Sequence, residues 1–183
     1  MSNVPWRAAL LAAGLILPIG SAHAQVQTLK AWHVADVEEM KSKFVALANA
    51  IPEDRYDWRP MEGVRSVRDV LLLVAAEGNT YPENWGLPRA EGAADDYVAE
   101  SARIGRAAPT KAQLIAEVER AFDHLARSLA GMSDSAHAAD GKTWGRAMTV
   151  EAGITMALAD MHEHLGQLIA YARMNRIVPP WSR

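Results

Sequence analysis

The sequence predicts an all-α fold, a four-helix bundle with a long crossover between its second and third helices. Four segments carry apolar residues at steps of three and four, the spacing of one helix face. No alternating apolar run indicates a strand, and no Asn-Gly or Asp-Gly turn lies between two apolar runs. The segment from Tyr81 to Pro109 is rich in Gly, Ala and Pro and longer than most bundle connections, which favours a crossover.

The first predicted helix runs roughly from residue 27 to 50, and Pro52 ends it. Its apolar face consists of Leu29, His33, Val37, Met40, Phe44, Leu47 and Ile51. The second begins at Ser66, which forms a variant capping box with Asp69, and ends before Pro82. Because residues 70–76 are apolar all round, this helix should be central to the bundle.

The third predicted helix begins at Thr110, which forms a second capping box with Gln113, and ends near Gly131. Its apolar stripe is Leu114, Val118, Phe122, Leu125 and Leu129. A loop of about residues 132–148 follows. The fourth helix is predicted from about residue 150 to 175. Its apolar face is Ile154, Leu158, Met161, Leu165, Leu168 and Ala172.

The N-terminus has the pattern of a secretory signal peptide over residues 1–24. Arg7 precedes an apolar run, and the small-residue site Ala22-His23-Ala24 follows it. The alternative is an uncleaved anchor, but the apolar run is short for a span of about 20 residues. We therefore expect a periplasmic or secreted protein without a stable membrane anchor after cleavage. Residues 25–183 should form one helical bundle domain.

Composition limits the chemistry and the partners. The chain has no cysteine, so a metal ion would have to be bound by His, Asp, Glu or water. The formal net charge is -3, and it becomes -4 when Arg7 leaves with the signal peptide. This acidic balance, without a basic stripe, argues against a nucleic-acid partner and leaves an unknown small molecule as the expected ligand.

Asp160 and His164 are four residues apart on the fourth helix and should lie one turn apart on its core side. Such a pair can chelate a metal ion with further ligands from facing helices. The alternative is a core histidine that is hydrogen-bonded to a neighbouring aspartate. His162 lies about 160° away and should face solvent.

The remaining histidines of the mature chain are weaker candidates. His124 lies opposite Phe122 on the third helix and should be solvated. His137 is predicted in a loop. His33 lies on the apolar stripe of the first helix, but nothing in the sequence places it near His164.

Three short motifs resemble those of the DinB-like superfamily of four-helix bundles, and their order is more specific than any one of them. They are Ile51-Pro52-Glu-Asp-Arg-Tyr-Asp-Trp-Arg-Pro60, Gly63-Val-Arg-Ser66-Val, and Glu163-His164-Leu-Gly-Gln167 with Tyr171-Ala-Arg173-Met-Asn175 and Pro179-Pro180. The resemblance covers most of residues 27–182. It implies a divalent ion, often zinc or nickel, held by three histidines, one from the second helix and two from the last.

Transferred to this chain, the family's ligand set is incomplete. The final family histidine falls on His164, and its partner one turn earlier falls on Asp160, which can still bind metal. The second-helix histidine falls on Leu73, which cannot. Glu77 lies one turn beyond Leu73 on the same face and could supply an oxygen. The candidate metal ligands are therefore Asp160, His164 and Glu77.

The other residues of the resemblance have structural interpretations. Trp58, Arg59 and Arg65 belong to the family's turn between the first two helices, where we expect them to pack and to form ion pairs. Tyr171 and Arg173 are expected to contribute packing and surface at the end of the last helix.

Two functions stay open. The first is a periplasmic enzyme with a degenerate metal site, related to the metal-dependent thiol transferases that the resemblance implies. The second is a non-catalytic bundle that has lost the metal and binds a ligand or acts as a stress-related dimer. Leu73 favours the second, and the resemblance allows a homodimer in either case.

Overall fold

A computed structural model describes residues 28–182, so the predicted signal peptide lies outside the described residues. The helices are α1 (Leu29–Ala50), α2 (Val67–Thr80), α3 (Tyr97–Arg106), α4 (Lys111–Gly131), α5 (Asp134–His137) and α6 (Val150–Met174). The strands are β1 (Asp140–Thr143) and β2 (Arg146–Thr149), and short 3₁₀ turns occupy Glu53–Arg55, Tyr81–Trp85 and Pro180–Ser182. Within the described part of the chain, no helix combines the length and apolarity needed to cross a membrane.

The fold is all-α, as predicted, and α1, α2, α4 and α6 form the bundle. The caps fix the ends of the inner helices. Ser66 and Asp69 form a complete capping box on α2, and Thr110 and Gln113 form one on α4. The side chain of Thr28 caps α1 by accepting a hydrogen bond from the backbone N–H of Ala31.

The helices run up-down-down-up, because α2 and α4 pack side by side in the same direction. Arg68, near the start of α2, donates to the carbonyl oxygen of Pro109, just before α4. Farther along both helices, Asn79 donates to Glu117. Two parallel neighbouring helices need a crossover, so the prediction of a long link between them is confirmed.

The centre of the bundle is α2. The residues from Val70 to Thr80 are all buried, since the helix is covered by neighbours on every side. This confirms the prediction from its apolar run. It also means that the carboxylate of Glu77 lies inside the protein, where a charged group needs a partner.

The crossover contains a helix that the sequence pattern did not predict. The segment was expected to be irregular, but Asp96 caps the ten-residue helix α3, which packs against α2. Only Glu100 and Ile104 of α3 are buried, too few for an apolar stripe. Glu100 is held by Arg103 at 2.7 Å and by Asn79 at 2.9 Å, so polar contacts dock this helix.

The expectation that the chain contains no strand was wrong. Residues 140–149 form an antiparallel hairpin in which Thr143 pairs with Arg146. Its turn is Trp144-Gly145, with φ of 49° and 76°, the left-handed values that a tight hairpin turn requires. Each strand has four residues and no apolar alternation, which removes the usual sequence signal.

The hairpin is fixed tightly against α6. A Cβ atom on Gly153 would lie 2.0 Å from the hydroxyl oxygen of Thr143, so only glycine allows this approach. The same hydroxyl accepts a hydrogen bond from the indole N–H of Trp85 at 3.3 Å. The turn that carries Trp144 is therefore held in one place beside α6.

Candidate metal centre

The three predicted ligands come together between α2 and α6. The Nε2 atom of His164 lies 3.3 Å from Oε1 of Glu77 and 3.6 Å from Oδ2 of Asp160. One ligand atom from each residue can be chosen so that all three lie within 4.8 Å of one another. Two carboxylates and one imidazole therefore converge on one point.

The helix packing explains why these positions meet. Asp160 and His164 are one turn apart on α6, so they share a face. The helices α2 and α6 run in opposite directions. Glu77 on α2 therefore faces His164, and Tyr81, in the 3₁₀ turn that follows α2, faces Asp160. Glu77 thus supplies the contact from the facing helix that the pair on α6 needs.

Tyr81 completes the polar cluster. Its hydroxyl donates a hydrogen bond to Oδ2 of Asp160 at 3.0 Å, and only 2% of the residue is exposed. Burial, followed by the charges of Glu77 and Asp160, raises the pKa of the Tyr81 phenol. The phenol therefore stays protonated and acts as a donor that fixes the orientation of Asp160.

Glu77 and His164 influence each other's protonation. Burial is the largest effect on Glu77 and raises its pKa, although the bond to His164 acts in the other direction. Burial also acts to lower the pKa of His164, but the hydrogen bond and charge of Glu77 and the charge of Asp160 outweigh it, so the net change is upward. Each group therefore affects how readily the other binds a proton.

One atom of the cluster has no partner among the described residues. Oε2 of Glu77 is buried and accepts no hydrogen bond. An unsatisfied buried acceptor costs about 1–3 kcal/mol, and more when it carries charge. A divalent cation at this point would satisfy it, and the donor set of one imidazole and two carboxylates suits such an ion.

The cluster opens to solvent through a cleft of about 570 Å³. The residues that line it are Arg65, Leu73, Glu77, Tyr81, Tyr97, Trp144, Asp160, Glu163 and His164. Glu77 lies at the buried end, whereas Trp144 is 40% exposed. A small molecule could therefore reach the cluster from outside without a change of fold.

Comparison with known proteins identifies the family. The sequence profile described as the DinB superfamily matches residues 36–168. The chain belongs to the DinB superfamily. The match spans α2 and most of α6 and includes all three residues of the cluster.

A solved structure shows the same fold. The chain resembles the crystal structure of a DinB-like protein from Bacillus subtilis with a TM-score of 0.59 and 17% sequence identity. The alignment covers 78% of this chain and 90% of that one. A search of curated proteins gave no match.

In this DinB protein, Leu73 forms part of the cleft wall. It is 6% exposed and lies one turn before Glu77 on the face that α2 turns toward the cleft. The family resemblance places a histidine at this position. Glu77, one turn after Leu73 on α2, contacts His164, so α2 still contributes a side chain to the cluster.

Trp58 and Arg59 of the helix 1–helix 2 turn pack and pair as expected. The rings of Trp58 and Tyr171 meet edge to face, with centroids 5.4 Å apart. The Tyr171 hydroxyl donates to the carbonyl oxygen of Arg65 at 3.0 Å and accepts a hydrogen bond from Gln167. Arg59 pairs with Asp69. These contacts join the turn to the end of α6.

Arg65 is exposed and forms no ion pair among the described residues, contrary to the expectation for this turn. It lines the cleft, and its charge acts to lower the pKa of His164. It is thus the cationic side chain of the cleft wall, on a residue whose backbone the family motif holds in place.

The other histidines lie away from the cluster. His162 is exposed and pairs with Asp36 at 2.9 Å, as its predicted solvent-facing position allows. His33 is buried, as predicted, and contacts His137 at 3.1 Å and Thr155 at 2.9 Å. His137 is not in an irregular loop, because it is the buried last residue of α5.

The prediction of a solvated His124 was wrong. Its ring is half-buried and its Nε2 atom is enclosed, because the crossover passes over this face of α4 beside Pro88. Burial lowers the pKa of His124. A helical wheel cannot detect a covering segment that comes from elsewhere in the chain.

Three aromatic residues of the cleft were missed by the sequence reasoning. Tyr81 lies four residues after Glu77, so the helical spacing could have placed it beside that carboxylate. Tyr97 and Trp144 carried no such signal, because they lie on α3 and on the hairpin, the two elements that the pattern did not predict.

Proposed function

We propose that this DinB protein binds a divalent metal ion through Glu77, Asp160 and His164. The observation that carries the proposal is the buried Oε2 atom of Glu77, which has no partner among the described residues and belongs to a cluster with two other donors. Burying an unpaired carboxylate oxygen is unfavourable, and a bound cation removes that cost. Three protein ligands are also the number that catalytic zinc sites use.

The ion would be zinc or nickel, as the family resemblance implies. Zinc accepts imidazole nitrogen and carboxylate oxygen together, and nickel accepts imidazole. Compared with the three histidines that the family resemblance implies, a ligand set of one histidine and two carboxylates is more negative. Glu77 and Asp160 would balance the two charges of the ion, so the occupied centre would be close to neutral.

The cleft supports a catalytic rather than a purely structural centre. Structural metal sites are closed, whereas catalytic sites keep a position open to substrate. A bound divalent ion would lower the pKa of a water or thiol and supply a nucleophile near neutral pH, the chemistry of metal-dependent thiol transferases. Tyr81 would hold Asp160 in its binding orientation through the 3.0 Å hydrogen bond.

The protein would act outside the cytoplasm. The basic, apolar and small-residue pattern of residues 1–24 supports export to the periplasm followed by cleavage. The absence of cysteine from the chain is compatible with an oxidising compartment.

The test is the metal content of the mature chain from Gln25, purified without chelator. We expect about one zinc or nickel ion per chain by elemental mass spectrometry, and its loss in His164→Ala. His162→Ala is the matched control, since it removes an exposed histidine two residues away that pairs with Asp36. Equal metal content in all three proteins, or none in the wild type, would overturn the proposal.

A second candidate is a bundle that binds a ligand without metal. Leu73 favours it, because an apolar residue stands on the cleft wall where the family resemblance places a histidine. The substitution Leu73→His separates the two candidates. If Leu73 marks a lost site, the histidine should create metal affinity that the wild type lacks. If the site already uses Glu77, the wild type binds metal and the substitution changes its affinity much less.

A further inference from the structure

Three aromatic rings form a recess at the mouth of the cleft. The ring of Tyr81 is buried, and the rings of Tyr97 and Trp144 meet it edge to face from two directions. The centroid distances are 6.3 Å to Tyr97 and 5.7 Å to Trp144. Each ring comes from a different element: the 3₁₀ turn after α2, helix α3 and the hairpin tip.

The recess has a second side that is acidic. The same three residues also line a smaller cavity of about 230 Å³. Its other walls include the carboxylates of Glu83, Asp95 and Asp96. Arg89 pairs with Glu83 at 3.3 Å and with Asp95 at 2.9 Å, so one cation is shared between two of these anions.

The side of the recess that faces the metal centre is acidic as well. Glu163, Asp160 and Glu77 line the cleft, and Oε2 of Glu77 has no hydrogen-bond partner among the described residues. Arg65 is the opposing cation on this side. The rings thus stand between two groups of carboxylates, with fewer arginines than carboxylates on each side.

Trp144 has an unusual backbone conformation, and its side chain lines the cleft. Its φ of 49° lies in the left-handed region, which bulky residues rarely adopt and which a hairpin turn normally gives to Asn, Asp or Gly. The contacts of Thr143 with Trp85 and Gly153 hold the turn in place. Residues with a strained backbone conformation are often found at ligand-binding and active sites.

We propose that the recess formed by Tyr81, Tyr97 and Trp144 binds an organic cation, a quaternary ammonium or protonated amine group of a small molecule. Aromatic faces attract such cations through their quadrupoles, and tryptophan does so most strongly. The surrounding carboxylates add a long-range attraction for positive charge. The recess needs no metal for this, so it can bind a cation whether or not Glu77, Asp160 and His164 hold an ion.

The recess would also set the orientation of a substrate. Tyr81 belongs both to the recess, through its ring, and to the metal centre, through its hydroxyl bond to Asp160. A molecule whose cationic end lies among the rings would extend its other end toward His164. This part of the inference rests on the proposed metal site, whereas cation binding itself does not.

The test compares two probes of equal shape and different charge. Choline carries a trimethylammonium group, and 3,3-dimethylbutan-1-ol has the same shape with a neutral carbon in place of the nitrogen. Titration calorimetry with the mature protein should detect choline binding and at least about tenfold weaker binding of the neutral alcohol. Equal affinity for the two probes, or no binding of choline at millimolar concentrations, would overturn the proposal.

Variants locate the site. Trp144→Leu and Tyr97→Leu keep an apolar side chain but remove the aromatic face, and each should weaken choline binding about tenfold. Trp32→Leu is the matched control, because Trp32 is an exposed tryptophan on α1 that does not line the cleft. An unchanged melting temperature shows that each variant is folded. Choline binding that survives in both Trp144→Leu and Tyr97→Leu would contradict the assignment.

The metal proposal and the cation proposal can fail separately. Repeating the choline titration with His164→Ala, and with wild-type protein treated with chelator, should give the wild-type affinity or a tighter one, because removing the ion leaves the charges of Glu77 and Asp160 unbalanced. If the metal proposal is wrong but the recess is correct, choline still binds and its affinity still falls in Trp144→Leu. If choline binding is lost together with the metal instead, the cation site is not the aromatic recess.

Discussion

Nε2 of His164 on α6 lies 3.3 Å from Oε1 of Glu77 on α2, and the other oxygen of that carboxylate is buried without a partner among the described residues. This contact joins the central helix of the bundle to the helix that carries the family's last motif. It brings a third possible metal ligand to the pair on α6, although Leu73 stands where the family resemblance places a histidine on α2.

Glu77→Gln should weaken zinc binding by about 100-fold. The amide keeps the size of the side chain but removes the charge that attracts the cation. Even a residue that only hydrogen-bonds to a metal ligand typically contributes ~10- to 100-fold, so loss of a ligand should lie at the upper end of that range. Competition with a chromogenic chelator measures the affinity. Glu163→Gln is the control, since it removes a carboxylate that lines the same cleft but lies outside the three-residue cluster. Equal losses in the two variants would indicate a general charge effect rather than ligation.

Tyr81→Phe should lower metal affinity by about tenfold without unfolding the protein. The substitution removes only the hydroxyl that donates to Asp160 at 3.0 Å, and groups that hydrogen-bond to a metal ligand typically contribute ~10- to 100-fold. The same chelator competition measures it. Tyr97→Phe, which removes a hydroxyl from the half-exposed ring nearby, should leave the affinity unchanged. If both phenylalanine variants behave alike, Tyr81 does not orient the ligand.

Gly153→Ala should destabilise the protein by about 1–3 kcal/mol, the range for overpacking. The new methyl group would lie 2.0 Å from the hydroxyl oxygen of Thr143 and force the hairpin away from α6. Gly166→Ala on the same helix is the control. No atom lies within 4 Å of a Cβ built there, so alanine should stabilise the helix by about 0.5–1 kcal/mol. Urea unfolding measures both, and a destabilisation of the same size at Gly166 would argue against the hairpin contact as the cause.

The protein should lose stability between pH 6.5 and pH 4 through His33. Burial, and then the neighbouring His137, lower the pKa of His33 from 6.5 to about 4, while Asp36 partly opposes them. Below pH 6.5 the unfolded chain therefore binds a proton that the folded protein does not bind until about pH 4, so stability falls with pH in this window. The full effect is roughly 3 kcal/mol. Urea unfolding in a pH series measures it.

His33→Gln removes the titrating group, and its stability should change less with pH between 4 and 6.5. His162→Gln serves as the control, because it removes an exposed histidine and should keep the wild-type pH dependence. A pH dependence that is the same in His33→Gln and in the wild type would contradict this assignment.

The four bundle helices were predictable because local signals agree with the tertiary structure. Ser66 and Thr110 mark the starts of α2 and α4 by capping boxes, and both boxes are present. Glu77 could be placed beside His164 only through the resemblance, which says that the middle of the second helix faces the last helix. Periodicity shows which face is apolar but not which helix lies opposite.

The aromatic recess could not be predicted. Helix α3 docks through Glu100, whose contacts with Asn79 and Arg103 are invisible to a hydrophobic pattern. The hairpin depends on a tertiary approach to Gly153 and on a left-handed Trp144, which no turn motif indicates. Both elements owe their structure to contacts with distant residues, so the residues they bring to the cleft had no local signal.

The most direct test of the metal centre is anomalous diffraction at the zinc or nickel absorption edge, from crystals of the mature protein purified without chelator. The proposed site predicts one strong peak within bonding distance of Glu77, Asp160 and His164, and no peak there in crystals of His164→Ala. A peak bound by other residues, such as the His33–His137 pair, or a protein that stays metal-free in the presence of added zinc and nickel, would contradict it.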